Sequence, residues 1–405
     1  MASVRALITR RLGLSVLVAY LGFRAISTVF ILITAAHQVP AGVPGGTGGA
    51  AHPAYLDMMR MWDGTWYREI AVNGYPDQIP RNEAGVVQQN AWAFYPLFPL
   101  LARLGMDLTG FSFEAVAAVL TLAMGAGAAV LMARLLAPRV GPLVAFGAVC
   151  VYAASPPSPT LQLAYTESLG MLLLLAALLA LARRDWLVAS GLALLIGLTR
   201  PIALPLAVVA LVAVWQRWRE RREDPIRAGD WAGMVWTLVA CGVAGFLWPA
   251  IAWWVTGERN AYTETMATWR IGNTIKPFDP WITNLSYLVG TGWAVFWVAV
   301  MIAALAAMLL GPWAEALGLQ LRVWCAVYAA YLGAVLDVWT SVYRYLLFLF
   351  PLAVILIGGG WRRQPDEPRR LVGLRTVVLV LLGIGWQLWW CLELLQITPP
   401  ADYPI

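Results

Sequence analysis

The sequence predicts an all-α protein that crosses a membrane many times. Three observations predict this class: hydrophobic residues make up 60% of the 405 residues, charged residues make up only 12%, and the mean hydropathy is +0.69. Soluble domains carry roughly 25% charged residues. The 22 Trp, 14 Tyr and 12 Phe beside long aliphatic runs also exclude disordered and fibrous proteins. The four cysteines lie inside apolar runs, where a thiol behaves as a small apolar group, so no disulfide framework is expected.

Apolar runs long enough to cross the hydrocarbon as helices recur along the chain. A crossing needs roughly 20 residues, and this criterion predicts about eleven transmembrane helices in a single integral membrane domain over residues 1–405. The predicted spans are 12–34, 113–134, 141–154, 165–182, 186–199, 201–216, 231–256, 285–310, 319–336, 345–360 and 376–395. Three of these runs are short, so two of them can be re-entrant rather than spanning.

The net charge of +6 follows the predicted topology. The run at 12–34 is too long for a signal peptide and has no convincing cleavage site, so we expect a retained helix with the amino terminus in the cytoplasm. Most of the 28 Lys and Arg residues then fall in cytoplasmic loops, in agreement with the positive-inside rule. The basic charge therefore indicates orientation in a membrane and does not predict a nucleic-acid partner.

The same topology places two long loops on the extracytoplasmic side. We call residues 37–111 the first loop and residues 257–284 the second loop. Loops of this length between membrane helices usually have a function. In the first loop, the Gly-rich stretch 42–51 predicts a mobile backbone, residues 53–72 predict a helix, and the aromatic segment 92–104 predicts a short interfacial helix.

Asp63 lies in the predicted first-loop helix, at the depth of the membrane surface. Helical spacing puts Trp62 and Trp66 on one side of this helix and Arg60, Asp63 and Tyr67 on another. A carboxylate at this depth is either paired or functional. The spacing leaves both alternatives open: an ion pair with Arg60 one turn earlier, or a group that takes part in chemistry.

Several short motifs follow one another in a recognisable order. Residues 61–71 read Met-Trp-Asp-Gly-Thr-Trp-Tyr-Arg-Glu-Ile-Ala, and residues 93–99 read Ala-Phe-Tyr-Pro-Leu-Phe-Pro. Further along the chain are Tyr-Thr-Glu-Ser at 165–168, Gly-Leu-Thr-Arg-Pro at 197–201 and Tyr-Arg-Tyr at 343–345. In order and placement these motifs resemble those of PIG-V-type mannosyltransferases and their bacterial relatives in the GT-C superfamily. The second loop matches no motif of that family.

The resemblance implies a GT-C-like fold and an inverting transfer of a sugar, mannose in this family, from a polyprenyl-phosphate donor to an acceptor hydroxyl. It places the reaction on the extracytoplasmic face of a bacterial plasma membrane, with no cofactor. By resemblance, Asp63 in the first loop is the catalytic base. The positions of the motifs also imply substrate contacts from Trp62, Tyr67, Tyr165, Glu167 and Tyr345.

The leaving group of such a reaction is a lipid phosphate, which gains negative charge as its bond breaks. Cations must therefore lie close to it, and the candidates on the outer side are Arg200, Arg270, Lys276 and Arg344. Because arginines can supply this charge and the loop contains no Asp-x-Asp pair, we expect no metal ion. Structural alternatives stay open, since Arg344 can snorkel into the aromatic belt, Arg200 can cap a helix and Glu167 can complement a helix dipole.

Three other functional classes fit parts of the sequence. A transporter or lipid flippase would have a similar number of spans, but apart from Arg24, which lies within the first predicted span, the charges here gather near one surface and no internal repeat is visible. A glycolipid hydrolase would use Asp63 and Glu167 as its two carboxylates. A non-catalytic membrane scaffold is the third class. The sequence leaves the acceptor open as a glycolipid, a glycan or a protein.

Overall fold

The computed structural model describes residues 2–38, 52–270, 274–338, 341–361 and 370–397. Within these ranges the secondary structure is helical, apart from one isolated bridge between Arg81 and Val87, and the predicted all-α class is confirmed. The Gly-rich stretch at 42–51 lies outside the described residues. The α-helices are α1 (Ala2–Arg10), α2 (Leu12–His37), α3 (Asp63–Asn73), α4 (Leu97–Thr109), α5 (Phe113–Val140), α6 (Pro142–Ala154), α7 (Glu167–Arg183), α8 (Trp186–Gly197), α9 (Ala203–Arg219), α10 (Ala228–Thr256), α11 (Ala261–Ala267), α12 (Asp279–Val289), α13 (Thr291–Leu310), α14 (Gly318–Val335), α15 (Val342–Tyr345), α16 (Leu352–Leu356) and α17 (Arg370–Trp390).

Long apolar helices make the chain an integral membrane protein. Among the described residues, five helices are long and apolar enough to cross a bilayer: Leu12–His37, Phe113–Val140, Ala228–Thr256, Thr291–Leu310 and Leu371–Leu395. Shorter helices coincide with most of the other predicted spans, and the span predicted at 345–360 is divided between the end of α15, a 3₁₀ turn and α16. The number of crossings stays a prediction.

The helix predicted at 53–72 is wrong in its first half. Asp57–Arg60 form a 3₁₀ turn, and α3 begins only at Asp63. Met61 ends the earlier turn in an extended conformation, and Trp62, whose φ of +52° lies outside the helical region, separates it from α3. Asp63 is therefore the first residue of a new helix rather than one position on a longer helical face.

A buried segment without α-helix, residues 155–166, connects α6 to α7 and is held by Arg24 of α2. The Arg24 guanidinium donates to the Ala153 carbonyl at 2.6 Å, to Ser158 Oγ at 3.0 Å and to the Ser158 carbonyl. Gln387 of α17 also donates to Ser158 Oγ, at 2.7 Å. Polar groups at membrane depth need such partners because no water is present to supply them. These bonds fix the chain that leads into α7.

Helices α8 and α10 approach each other closely near the end of α8. A Cβ added to Gly197, the last residue of α8, would lie 2.4 Å from the carbonyl oxygen of Ala244 in α10. No side chain tolerates such a contact, and small residues at close crossings are typical of membrane helices. This approach fixes the corner at 198–201 that follows α8.

Gly197→Ala is expected to lower the free energy of unfolding by roughly 1–3 kcal/mol, because the two backbones must separate to admit a methyl group. Thermal unfolding of the detergent-solubilised protein measures this as a lower Tm. Gly242→Ala in α10 is the matched control and should leave the Tm unchanged, since a Cβ there meets nothing within 4 Å. Equal Tm values for the two variants would contradict the close approach.

Candidate active site

A cavity of about 270 Å³ lies where the two loops meet the start of α7, the corner after α8 and one face of α14. Its wall combines charged groups with aromatic rings. The charged and hydroxyl-bearing lining residues include Asp63, Thr166, Arg200, Arg270 and Arg344, and the aromatic ones are Tyr67, Phe94, Tyr95, Tyr262, Tyr328, Tyr331 and Tyr345. Such a mixture suits a ligand with both polar and apolar faces.

The two loops are joined to each other beside this cavity. Arg81 of the first loop pairs with Glu258 of the second at 2.5 Å and with Glu264 at 3.1 Å. Asn90 of the first loop donates to Thr265 Oγ1 of the second at 3.0 Å, in a buried contact. The second loop, which matched no motif, is thus held against the first and forms part of the cavity wall.

Four charged side chains from separate parts of the chain meet at one wall of the cavity. Arg344 contacts Asp63 through Nη1, and the same nitrogen lies 3.6 Å from Glu167 Oε1. Arg200 Nη1 lies 2.7 Å from Glu167 Oε1. The side chains of both arginines are 7% exposed and that of Glu167 is 1% exposed. Two carboxylates thus face two guanidiniums, and this pairing compensates charges that would otherwise be costly to bury.

The backbone around Asp63 is constrained in several ways. The positive φ of Trp62 is costly and persists only where surrounding contacts impose it. A Cβ added to Gly64 would lie 2.0 Å from a carbonyl oxygen of the preceding turn, so a larger residue does not fit there. The Tyr165 hydroxyl donates to the Met61 carbonyl at 3.1 Å. These contacts direct Asp63 towards the guanidiniums.

Arg60 is not the partner of Asp63, so the local ion pair considered from the spacing does not form. Arg60 instead bonds to Asp57 at 2.8 Å and lies 3.4 Å from Glu114. The Asp63 side chain lines the cavity and keeps 16% of its surface exposed. A ligand in the cavity can therefore reach its carboxylate.

Burial raises the pKa of Asp63 above its usual range. The positive charge of Arg344 and its hydrogen bond to Asp63 oppose this rise, as does the charge of Arg200, whereas the Glu167 carboxylate adds to it. A carboxylate with a raised pKa is a stronger base. Asp63 is therefore better suited than an ordinary surface aspartate to accept a proton near neutral pH.

Aromatic rings hold both arginines of the charged wall. The Arg200 guanidinium carbon lies 4.9 Å from the ring centre of Tyr345 and 5.1 Å from that of Phe348. The Arg344 guanidinium carbon lies 5.3 Å from the ring centre of Tyr165 and 5.1 Å from that of Tyr345. Cation–π contacts of this kind favour a guanidinium even where water is scarce.

The other two predicted cations are placed differently. Arg270 lines the cavity and pairs with Asp337 at 3.1 Å, whereas Lys276 is exposed and outside the lining. Over the ranges that the structure describes, no three His, Cys, Asp or Glu side chains come close enough to hold a metal ion.

The five predicted substrate contacts divide into two groups. Tyr67 and Tyr345 line the cavity. Trp62 is half-buried and packs against the core, outside the lining. Tyr165 and Glu167 are buried and lie behind the wall, where they contact the arginines rather than the cavity.

Sequence reasoning missed several residues of the cavity wall. The Thr166 hydroxyl accepts a hydrogen bond from Arg200 at 3.0 Å and lies 3.3 Å from the Tyr67 hydroxyl. Tyr328 and Tyr331 lie in a predicted span, and two phenol groups three residues apart on one helix face were an available signal. Thr166 had no such signal of its own, because its role depends on Arg200.

Comparisons with known proteins identify the fold. No protein-family model matches the chain, and no curated protein matches its sequence. In structure the chain is similar to ArnT from Cupriavidus metallidurans, solved as a crystal structure bound to undecaprenyl phosphate, with a TM-score of 0.52 and 12% identity over 92% of this chain and 76% of that chain. This similarity confirms the predicted GT-C-like fold.

Replacing Arg344 by Gln is expected to raise the pKa of Asp63 further, because the nearest positive charge is lost while the burial remains. Infrared titration of the carboxyl band that disappears in an Asp63→Asn variant measures this value. Arg68→Gln is the control, because Arg68 lies on α3 with Asp63 but pairs with Glu114 at 3.1 Å. An unmoved titration in Arg344→Gln would contradict the direct contact.

Proposed function

We propose that the protein is an inverting glycosyltransferase that moves a sugar from a polyprenyl-phosphate donor to an acceptor hydroxyl on the extracytoplasmic face of a bacterial plasma membrane. The observation that carries the proposal is the contact of Asp63 with Arg344, beside Arg200, in the wall of a cavity between two loops. The fold shared with ArnT, which was solved with undecaprenyl phosphate, supports a lipid-phosphate donor. Mannose as the sugar rests on the resemblance of the motifs.

Asp63 is the catalytic base of the proposed reaction. An acceptor hydroxyl is a weak nucleophile at neutral pH, and a positioned carboxylate that takes its proton contributes roughly 10²–10⁴ in rate. The raised pKa and the access from the cavity both suit this role.

In the proposed reaction, Asp63 loses its negative charge as the leaving phosphate gains one. The acceptor oxygen bonds to the anomeric carbon, the bond from that carbon to the phosphate oxygen breaks, and its electron pair stays on the phosphate. The acceptor proton passes to Asp63, which becomes neutral. Arg344 thereby loses the nearer of its two anionic partners as a new negative charge forms on the leaving group. One guanidinium can stabilise first the base and then the phosphate.

Arg200 and Arg270 complete the set of cations for the donor phosphate. Both line the cavity. Arg200 pairs with Glu167, and Arg270 pairs with Asp337. Guanidinium groups suit this ligand because their planar fork donates parallel hydrogen bonds to phosphate oxygens. Lys276 is a weaker candidate because it lies outside the lining.

The two-carboxylate hydrolase is disfavoured by the position of Glu167. That mechanism needs both carboxyl groups beside the scissile bond. Glu167 is 1% exposed, lies outside the cavity lining and is paired with Arg200. Only Asp63 of the two carboxylates is available to a substrate, as a transferase with one base requires.

Asp63→Asn is expected to reduce sugar transfer by roughly 10²–10⁴-fold without changing the amount of folded protein, because the amide cannot accept the proton. The assay incubates purified protein with labelled polyprenyl-phosphate sugars and a bacterial lipid extract, and identifies the labelled product by mass spectrometry.

Asp77→Asn is the matched control for this experiment, since Asp77 is an exposed residue of the same loop. Full activity of Asp63→Asn would remove the base assignment. Donor consumption without acceptor would indicate a hydrolase, and movement of donor across the membrane without any product would indicate a flippase.

Arg270→Ala is expected to raise the KM for the lipid donor by roughly tenfold, because one charge-assisted hydrogen bond to the phosphate is lost. The acid limb of the pH profile should stay in place, since the contacts of Arg270 are with Asp337 and the backbone rather than with Asp63. Arg219→Ala is the control, because Arg219 is exposed and stacks on Trp215. Equal KM values for the two variants would count against a phosphate site at Arg270.

A further inference from the structure

Glu167 is a buried carboxylate for which the proposed reaction has no direct use. It begins α7, is 1% exposed and does not line the cavity. Its carboxylate forms ion pairs with Arg200 at 2.7 Å and with Arg344 at 3.6 Å. Among the described residues, neither of its oxygens accepts a well-aligned hydrogen bond. An isolated buried carboxylate is costly, and the two guanidiniums compensate this cost.

The position of Glu167 between two cations affects both of them. Arg200 and Arg344 would repel each other at one wall of the cavity, where the side chains of both are 7% exposed, and a shared anion behind that wall offsets the repulsion. Arg344 Nη1 is also shared between two anions, Asp63 in front and Glu167 behind. The attraction between Glu167 and Arg344 therefore weakens the ion pair between Arg344 and Asp63.

We infer that Glu167 is a positioning residue: its negative charge keeps Arg200 and Arg344 side by side at the cavity wall and limits how firmly Arg344 holds Asp63, without touching the substrate. This inference rests on the proposed function, because it assigns Glu167 a role towards the proposed base. It differs from the substrate contact that the Tyr-Thr-Glu-Ser motif suggested.

The groups that face Asp63 decide the sign of the effect. Arg344 from α15 and Arg200 from the corner after α8 lower the pKa of Asp63, whereas Glu167 raises it. The hydroxyls of Tyr67 and Tyr165 also interact with Asp63, but both are neutral at physiological pH. Removing the charge of Glu167 must therefore lower the pKa of Asp63, the opposite of removing Arg344.

The test is the infrared titration of Asp63 in the full-length protein, with no substrate present. Glu167→Gln keeps the shape and removes the charge, and it should move the Asp63 titration down by on the order of one pH unit. Glu167→Asp keeps the charge and should titrate near the wild type. Glu69→Gln, on α3 and exposed, is the control that should not move. A merely structural Glu167 predicts the reverse order, with Gln like the wild type and Asp disturbed.

A double variant covers the case in which Glu167→Gln does not fold. Glu167→Gln combined with Arg200→Gln removes one charge of each sign, so Asp63 should titrate close to its wild-type value. A titration of the double variant as high as that of Arg200→Gln alone would overturn the inference.

The titration is also independent of the transferase assay. A wild-type protein that makes no product in that assay would refute the proposed function. An Asp63 titration that is the same in Glu167→Gln as in the wild type would refute only this inference.

Discussion

The contact between Arg344 and Asp63 is the interaction on which the candidate site depends. The two residues are 281 positions apart, so the contact forms only when the late part of the chain folds back onto the first loop. It joins the short helix α15 to the first residue of α3, and Glu167 and Arg200 complete the charge balance behind it. Buried charges are costly unless they are paired, and at this wall the pairing brings together residues from four parts of the chain.

The loops and the membrane helices contribute differently to this arrangement. The membrane helices supply the closely packed part of the structure, in which α8 and α10 touch through Gly197. The loops supply the wall that can vary, and the bridge from Arg81 to Glu258 and Glu264 attaches the second loop to the first. The second loop thus supplies one part of the cavity wall, and the first loop supplies Asp63 in another.

Much of the fold was predictable because the bilayer imposes it: a run of apolar residues near the length of a crossing has few alternatives to a helix. The motifs likewise brought Asp63, Arg200 and Arg344 together as candidates. Local pattern could not predict the turn at Trp62, because tertiary contacts impose its positive φ. Nor could it show that Arg270 lines the cavity and Lys276 does not, because this depends on how the second loop lies against the cavity.

Arg24 has a consequence for how the protein is made. On a lone helix in the hydrocarbon, an arginine costs roughly 2.5–3.5 kcal/mol on the insertion scale. The carbonyls that satisfy Arg24, at Ala153 and Ser158, are synthesised more than a hundred residues later, at separations of 129 and 134 positions. Until α6 and the segment after it have been synthesised, Arg24 of α2 therefore lacks the carbonyl partners that it has in the folded bundle. The same segment carries Thr166 and leads into Glu167, so the burial of Arg24 is linked to the assembly of the charged wall.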